Sequence, residues 1–436
     1  MQRTASLLPR ALGAVGILLG LWGCDDAVTS RLARKLSSGS EQDAQEPTRG
    51  TYKQRMGTIA LRTEIRAEPR ADSAVVGALV AGNLVPRSPE PVGRDGCPEG
   101  WYAVEPRGYL CLDKRTTLDE NHPTLQVRSM AANRTNSLPY PYAITRHDTS
   151  LYELDPKRRD GVREQRRLGK GSVFAVIGSW ETLDEFDQKQ RLAMLTTGGF
   201  VPVKDIEPTR FGPTWLTAVG SGEARFPFAF VTEKDASSYR LNHGKAEATT
   251  KLAKRTLSLT GSSRVIEKDR YWAWSTEDYV RESDVVVLRK RQDFPSSITK
   301  STHVVDLDLA RGTLVLYEGT TPLYATIALR GPRREPKAEV AHVAAKYVTL
   351  PPDSQNRKVS SERLDLAWVV DLDNGLRFAA ASKPNPNGDF NAEGVIELHP
   401  EDARQVFQWL LPEVPERWHG VVTNRSERQA SSILLH

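Results

Sequence analysis

From Gly57 to about Asp113 the apolar residues come in short runs broken by glycine and proline, a pattern that confines this stretch to brief strands and tight turns. Val75-Val76-Gly77-Ala78-Leu79 leads into Ala81-Gly82-Asn83-Leu84-Val85, and Gly100-Trp101-Tyr102-Ala103-Val104 is followed by Gly108-Tyr109-Leu110. The same order recurs twice, weakly. Around 143–206, Leu168-Gly169-Lys170-Gly171-Ser172-Val173 matches the middle landmark, while Arg191 to Leu195 and Gly199-Phe200-Val201 match the closing strands. Around 228–288, Leu252 to Leu257 precedes Tyr271-Trp272-Ala273-Trp274 and Asp278-Tyr279-Val280. Three similar β-rich units in tandem are the expectation.

Each unit resembles a bacterial SH3-like domain, a small barrel often attached to cell-wall enzymes. The boundaries fall at 57–120, 140–210 and 226–292. Trp101, Tyr102 and Tyr271 read as core residues of their barrels, while Trp274 is open to either a core or a stacking role. Gly169-Lys170-Gly171-Ser172 has the look of a phosphate loop, but the position that must be glycine holds Glu164. A nucleotide site is therefore not expected, and no His-Glu-x-x-His, Cys-x-x-Cys or Gly-x-Ser-x-Gly occurs in the chain.

Ahead of these units, Arg3 and Arg10 precede an apolar run from Ala11 to Trp22 that is shorter than the roughly 20 residues a membrane-spanning helix requires. Residues 1–23 read as a signal peptide. The run ends Leu21-Trp22-Gly23-Cys24, which resembles the bacterial lipobox, and this resemblance implies that Cys24 is lipidated and becomes the first residue of a membrane-anchored lipoprotein facing the periplasm. Several acyl chains hold far more firmly than the single chain that binds only marginally. Residues 24–56, rich in Ser, Gln, Glu, Arg and Lys, read as a flexible tether.

With 436 residues, 39% of them hydrophobic and 26% charged, the chain has enough apolar material for several compact units and not for a bundle of membrane spans. Its net charge of +5, or +3 once Arg3 and Arg10 leave with the leader, is too small to argue for nucleic acid. The remaining cysteines, Cys97 and Cys111, read as a disulfide in an oxidising exported compartment. Closing a loop of about 15 residues contributes on the order of 3 kcal/mol in the chain-entropy picture. Beyond Cys111 the chain has no thiol, which excludes a catalytic cysteine or zinc–thiolate site there.

From His303 the pattern changes. Val304-Val305-Asp306-Leu307-Asp308-Leu309 alternates as a strand, Ala310-Arg311-Gly312 turns, and Thr313 to Tyr317 returns before a further strand through Tyr324. Val343 to Thr349 and Leu366 to Val370 read as strands. Pro400 to Leu410 reads as a short helix: Pro400 suits its first position, Glu401 and Asp402 its positive end, Ala403, Val406, Phe407 and Leu410 one apolar face, and Pro412 its stop. Pro415 to Val421 reads as a closing strand. Over residues 300–425 this succession resembles the L,D-transpeptidase catalytic domain, which cross-links peptidoglycan stem peptides through a cysteine thioester. The fold class implied is mainly β: tandem small SH3-like barrels, then a β-rich L,D-transpeptidase-like domain with one short helix near the C-terminus.

The active centre departs from that family. Where it has Ser-His-Gly-Cys, an aliphatic residue and then a polar one, this chain has Ala392-Glu393-Gly394-Val395-Ile396-Glu397. The resemblance puts the nucleophile position at Val395, which has no lone pair to attack a carbonyl, and the base position at Ala379. The Thr-Pro-x-Gly turn becomes Glu335-Pro336-Lys337-Ala338. Glu393 and Glu397 would disfavour a carboxylate-bearing donor peptide, or else are simply solvated surface groups. Of the eight histidines none sits in a serine or metal-ligand motif; His399 reads as a helix cap and His419 as a packing residue beside Trp418.

The expected function is that of a lipid-anchored cell-envelope protein whose pseudo-L,D-transpeptidase domain binds peptidoglycan, a stem peptide or a wall-enzyme partner without catalysis and without a cofactor or metal. The alternative is a peptidoglycan L,D-transpeptidase or muropeptide-trimming enzyme with a non-standard site. Cys24→Ala should leave the protein unlipidated and released from the membrane fraction; a mutant that still acquires lipid and sediments with membranes would refute the lipobox assignment.

Overall fold

The hairpin expected at the start of the final region opens the architecture. His303–Asp308 pairs antiparallel with Thr313–Glu318, and Gly312, at φ 66°, makes the turn that L side chains rarely adopt. A second turn at Gly319 sends the chain into Thr321–Arg330. The computed structural model describes residues 52–127, 132–183, 188–220, 224–253, 255–330, 339–350, 364–381 and 394–436. Cys24 with its leader and most of the tether, the Glu335–Ala338 turn, Ala392 and Glu393 lie outside the described residues.

The protein is mainly β, with a ten-residue helix, Pro400–Trp409, near its end. His399 caps that helix by accepting from the Glu401 amide. Ala403, Val406, Phe407 and Leu410 all enter the main core, as the sequence periodicity requires. One strand was not legible beforehand. Ser431–Leu435, past the expected end of the final domain, runs parallel to His303–Asp308 and pairs on its other side with Val340–Ala341.

The expectation of barrels needs correction, because none of the sheets closes on itself among the described residues. In the first unit, Gln54–Thr58 pairs with Leu84–Arg87 and Thr116–Thr117 in a sheet of three strands. That first strand begins inside the stretch read as tether, and its Met56 is fully buried. The other strands of this unit belong to a fifteen-stranded sheet that continues from the final region. Val75–Leu79 has Thr63–Arg66 along one edge and Gly420–Val422 along the other, so it has no free edge with which to close a barrel.

Two glycines make that junction possible. Gly77 pairs with Val421 and Ala78 with Gly420. A Cβ on Gly77 would lie 2.3 Å from the Trp418 ring, and one on Gly420 2.2 Å from the Tyr347 ring. Trp418 is 2% exposed and donates its indole N–H to the Glu105 carbonyl at 2.9 Å, tying the final region back to the first unit. Arg134 adds bonds to the carbonyls of Val414 (2.6 Å), Pro415 (2.8 Å) and Trp418. Close to the far edge of the first unit, Cys97 and Cys111 are joined in a disulfide with Cα atoms 5.8 Å apart.

The middle unit is a seven-stranded sheet, and Gly169-Lys170-Gly171-Ser172 is the turn between Val162–Leu168 and Val173–Leu183. The third combines a sheet of three strands with one of five. Trp101, Tyr102 and Tyr271 are buried; Trp274 packs beside the cluster that contains Trp272, with its indole nitrogen buried and unpartnered. A single apolar core runs through Met56, Ile65 and Leu110 of the first unit, Tyr142 and Val173 of the second, and Val305, Phe378 and Ile433 of the final region. Gly50–His436 is accordingly one compact unit.

Gly77→Ala should destabilise the protein by about 1–3 kcal/mol, the usual cost of overpacking, read as a lower urea midpoint. Gly178→Ala, whose added methyl meets nothing within 4 Å, should leave the midpoint within error.

Candidate functional site

Val395–Leu398 lies between Thr321–Arg330 and Arg377–Ala380 in the large sheet. It runs parallel to the latter, with Val395 opposite Arg377 and Glu397 opposite Ala379. Strand alternation then divides the side chains. Phe378, Ala380, Ile396 and Leu398 enter the main core under the helix, where Trp368 and Phe407 have ring centroids 5.2 Å apart. Val395 and Ala379 belong to a different apolar cluster, with Ala78, Ala345, Tyr347, Leu350, Leu366 and Val369. Gly394, which precedes the strand, has φ 75°, and its carbonyl accepts from the Arg377 amide at 3.0 Å.

The two positions matched by sequence to nucleophile and base thus come together. Both carry hydrocarbon. Val395 is 7% exposed and Ala379 fully buried, and their neighbours in the cluster are apolar except for the Tyr347 hydroxyl. Neither side chain can attack a carbonyl or take up a proton. Glu397 is 2% exposed and engaged, so the solvated-surface reading does not hold for it. Arg377, level with Val395, pairs with Asp371.

Three of the histidines, His399, His303 and His419, are held in contacts of the fold. The His399 Nδ1 accepts from the Glu401 amide, so the Nε2, 2.9 Å from the Gly212 carbonyl, carries the proton and donates. His303 stacks on Trp409 at 4.2 Å. His419 does not rest on a packing role beside Trp418 alone: its Nε2 lies 3.1 Å from the Thr349 amide and 2.8 Å from the Thr349 hydroxyl. Burial pushes its pKa down to about 4, leaving it neutral and a poor proton acceptor near pH 7. Among the described residues no group of three or more His, Cys, Asp or Glu could hold a metal ion.

The sequence reading missed two buried ionisable groups beside the site. Lys346, 1% exposed in the Val343–Leu350 strand, donates to the carbonyls of Leu410 and of Pro412 (2.9 Å), just past the C-terminus of the helix. Its ammonium lies 4.7 Å from the centre of the Phe407 ring. Burial pushes its pKa down to about 7. The sequence signal was a lone charge inside an apolar strand. Asp365, also 1% exposed, accepts from the Thr196 hydroxyl of the middle unit; its Oδ1 and the Tyr142 hydroxyl are both buried without a hydrogen-bond partner. Burial pushes its pKa up to about 7. Asp402, fully buried at the helix start, accepts from Thr214 and Thr326, and burial raises its pKa.

No family model matches the sequence, and no curated protein matches it. Among solved structures the chain is similar to an L,D-transpeptidase from Stackebrandtia nassauensis, at 15% identity over 32% of this chain and 57% of that one, with a TM-score of 0.22. It is likewise similar to an L,D-transpeptidase from Xylanimonas cellulosilytica, at 15% identity over 34% of this chain and 65% of that one, with a TM-score of 0.18. This chain spans less than two thirds of each.

Two of the shifted groups oppose each other in pH. The carboxyl of Asp365 binds a proton in the folded state that the unfolded chain has released, so its contribution is full below about pH 3.8 and is lost as pH rises through about 7. His419, whose folded pKa is depressed, contributes stability above pH 6.5 that is lost as pH falls through about 4. Asp365→Asn removes the first slope and leaves the second. Relative to the parent, its urea midpoint should climb with pH between about 4 and 6.5; parallel midpoint curves for the two proteins would refute the assignment.

Proposed function

We propose that this chain is a lipid-anchored protein of a bacterial cell envelope that binds peptidoglycan or a wall-remodelling partner without performing L,D-transpeptidation. The observation that carries this reading is the burial of Val395 and Ala379 in one apolar cluster. At the two positions where the resemblance would put sulfur and imidazole both side chains are hydrocarbon, so an acyl-enzyme has no atom on which to form. The resemblance of residues 300–425 to the transpeptidase domain and the lipobox-like ending at Cys24 supply the cellular setting.

A binding role also suits the way the final region is built. Its sheet is extended by strands of the first unit, and its core is shared with the middle one. The surface it offers to a polymer or a partner is therefore made by several units together, held rigidly, and such preorganisation limits the entropy lost on binding. The lipid anchor would confine that surface to the face of the membrane and raise its effective concentration at the wall.

The test is cosedimentation of the protein with purified sacculi and with wall-enzyme candidates, followed by chromatography of the muropeptides. Enrichment over a heat-denatured control, with unchanged muropeptides, is expected. Absence of any enrichment would overturn the binding role, and new cross-links or a stem-peptide adduct within the final hundred residues would overturn the loss of catalysis.

A further inference from the structure

The first unit contains an opening that the envelope reading does not use. Thr63–Arg66 and Tyr109–Cys111 pair at a single register position, Arg66 against Tyr109. Beyond it lies a cavity of about 80 Å³ whose walls include Thr63, Glu64, Arg66, Trp101, Asp113 and Arg115. Trp101 is held by its indole N–H, which donates to the Asp95 carbonyl at 2.7 Å, and the Cys97–Cys111 disulfide fixes the strand ends alongside.

Charge alternates along these walls. Arg66 donates to Glu64 at 2.7 Å and, on its other side, to the Ser73 carbonyl at 2.8 Å. Arg115 donates to Asp113 through Nη2 at 2.6 Å and Nε at 2.9 Å. Glu64 is close enough that its charge adds to the hydrogen bond and charge of Asp113 in raising the Arg115 pKa. All four charged side chains keep between 26% and 46% of their surface in water, so they remain available to a ligand. Thr63 is 3% exposed, and its hydroxyl is buried with no hydrogen-bond partner. Alternation along the strand turns that hydroxyl to the core face with Ile65, away from Glu64 and Arg66, so the charged wall is made without it.

We propose that this opening binds the head group of a small α-amino acid, with its carboxylate between Arg66 and Arg115 and its ammonium between Glu64 and Asp113. Two guanidiniums and two carboxylates sum to no net charge. A simple anion would meet the two carboxylates and a simple cation the two guanidiniums, whereas a zwitterion satisfies both pairs at once. The space is about half of the roughly 150 Å³ in which benzene binds a protein cavity, so the ammonium–carboxylate carbon enters and the rest of the molecule projects into solvent. The site is independent of the envelope reading: its failure would leave that reading untouched.

Calorimetric titration of the whole protein with alanine, alaninamide and N-acetylalanine separates the two charges, and the indole N–H resonance of Trp101 reports the place. Alanine should bind saturably and shift that resonance, and each blocked analogue should bind about tenfold more weakly or not at all. Raising the salt should weaken binding of alanine, since the groups are part exposed. The paired variant Asp113→Asn with Arg115→Gln should abolish binding. Equal binding by the blocked analogues, a shift confined to other tryptophans, or no saturable heat up to the solubility of alanine would each overturn the proposal.

Discussion

Two residues without side chains, Gly77 and Gly420, let separate parts of this chain become one sheet. The distances leave no room for even a methyl group at either place, because the Trp418 and Tyr347 rings occupy it. Close backbone approach buries Trp418, and the buried indole then needs a partner, which it finds in the Glu105 carbonyl of the first unit. Hydrophobic burial and a satisfied hydrogen bond therefore act at the same point. The consequence reaches the candidate site directly, since Ala78, next to Gly77, belongs to the apolar cluster that contains Val395 and Ala379.

That cluster and the buried charges around it have a common logic. An ion in a low-dielectric interior must be paired, coordinated by dipoles or neutralised. Lys346 is met by two backbone carbonyls beyond the helix, Asp402 by two threonine hydroxyls, and Asp365 by the Thr196 hydroxyl and a pKa that favours its neutral form. Each of these groups joins elements distant in sequence. The site face itself contains Val395 and Ala379, with no group that could exchange a proton or donate electrons to a carbonyl at those two positions. The buried polar groups lie instead in the contacts that hold the frame.

Several features were legible in advance because they depend on neighbours along the chain. The hairpin at Asp308 and Thr313, the apolar face of the Pro400–Trp409 helix and its His399 cap follow from alternation, helical periodicity and local hydrogen bonding. Other features were not. Ser431–Leu435 is a short apolar run whose partner lies more than a hundred residues earlier. Glu397 reads as a surface carboxylate in sequence, and only its position between two neighbouring strands buries it. The three similar units read as closed barrels because each carries the same order of short strands, yet closure depends on which edges remain free.

The amino-acid order alone determined that the chain would be mainly β with a short helix near its end, that Val395 could not be a nucleophile, and that Cys97 and Cys111 were positioned to pair. These are properties of side-chain chemistry and local spacing. Tertiary structure alone decided that the first unit would share a sheet with the final region, that Val395 and Ala379 would meet inside apolar surroundings, and that Lys346 and Asp365 would be buried. The physical reason is that strand pairing and burial are set by contacts across long sequence separations, where hydrogen-bonding edges and apolar faces choose among many partners of similar local character.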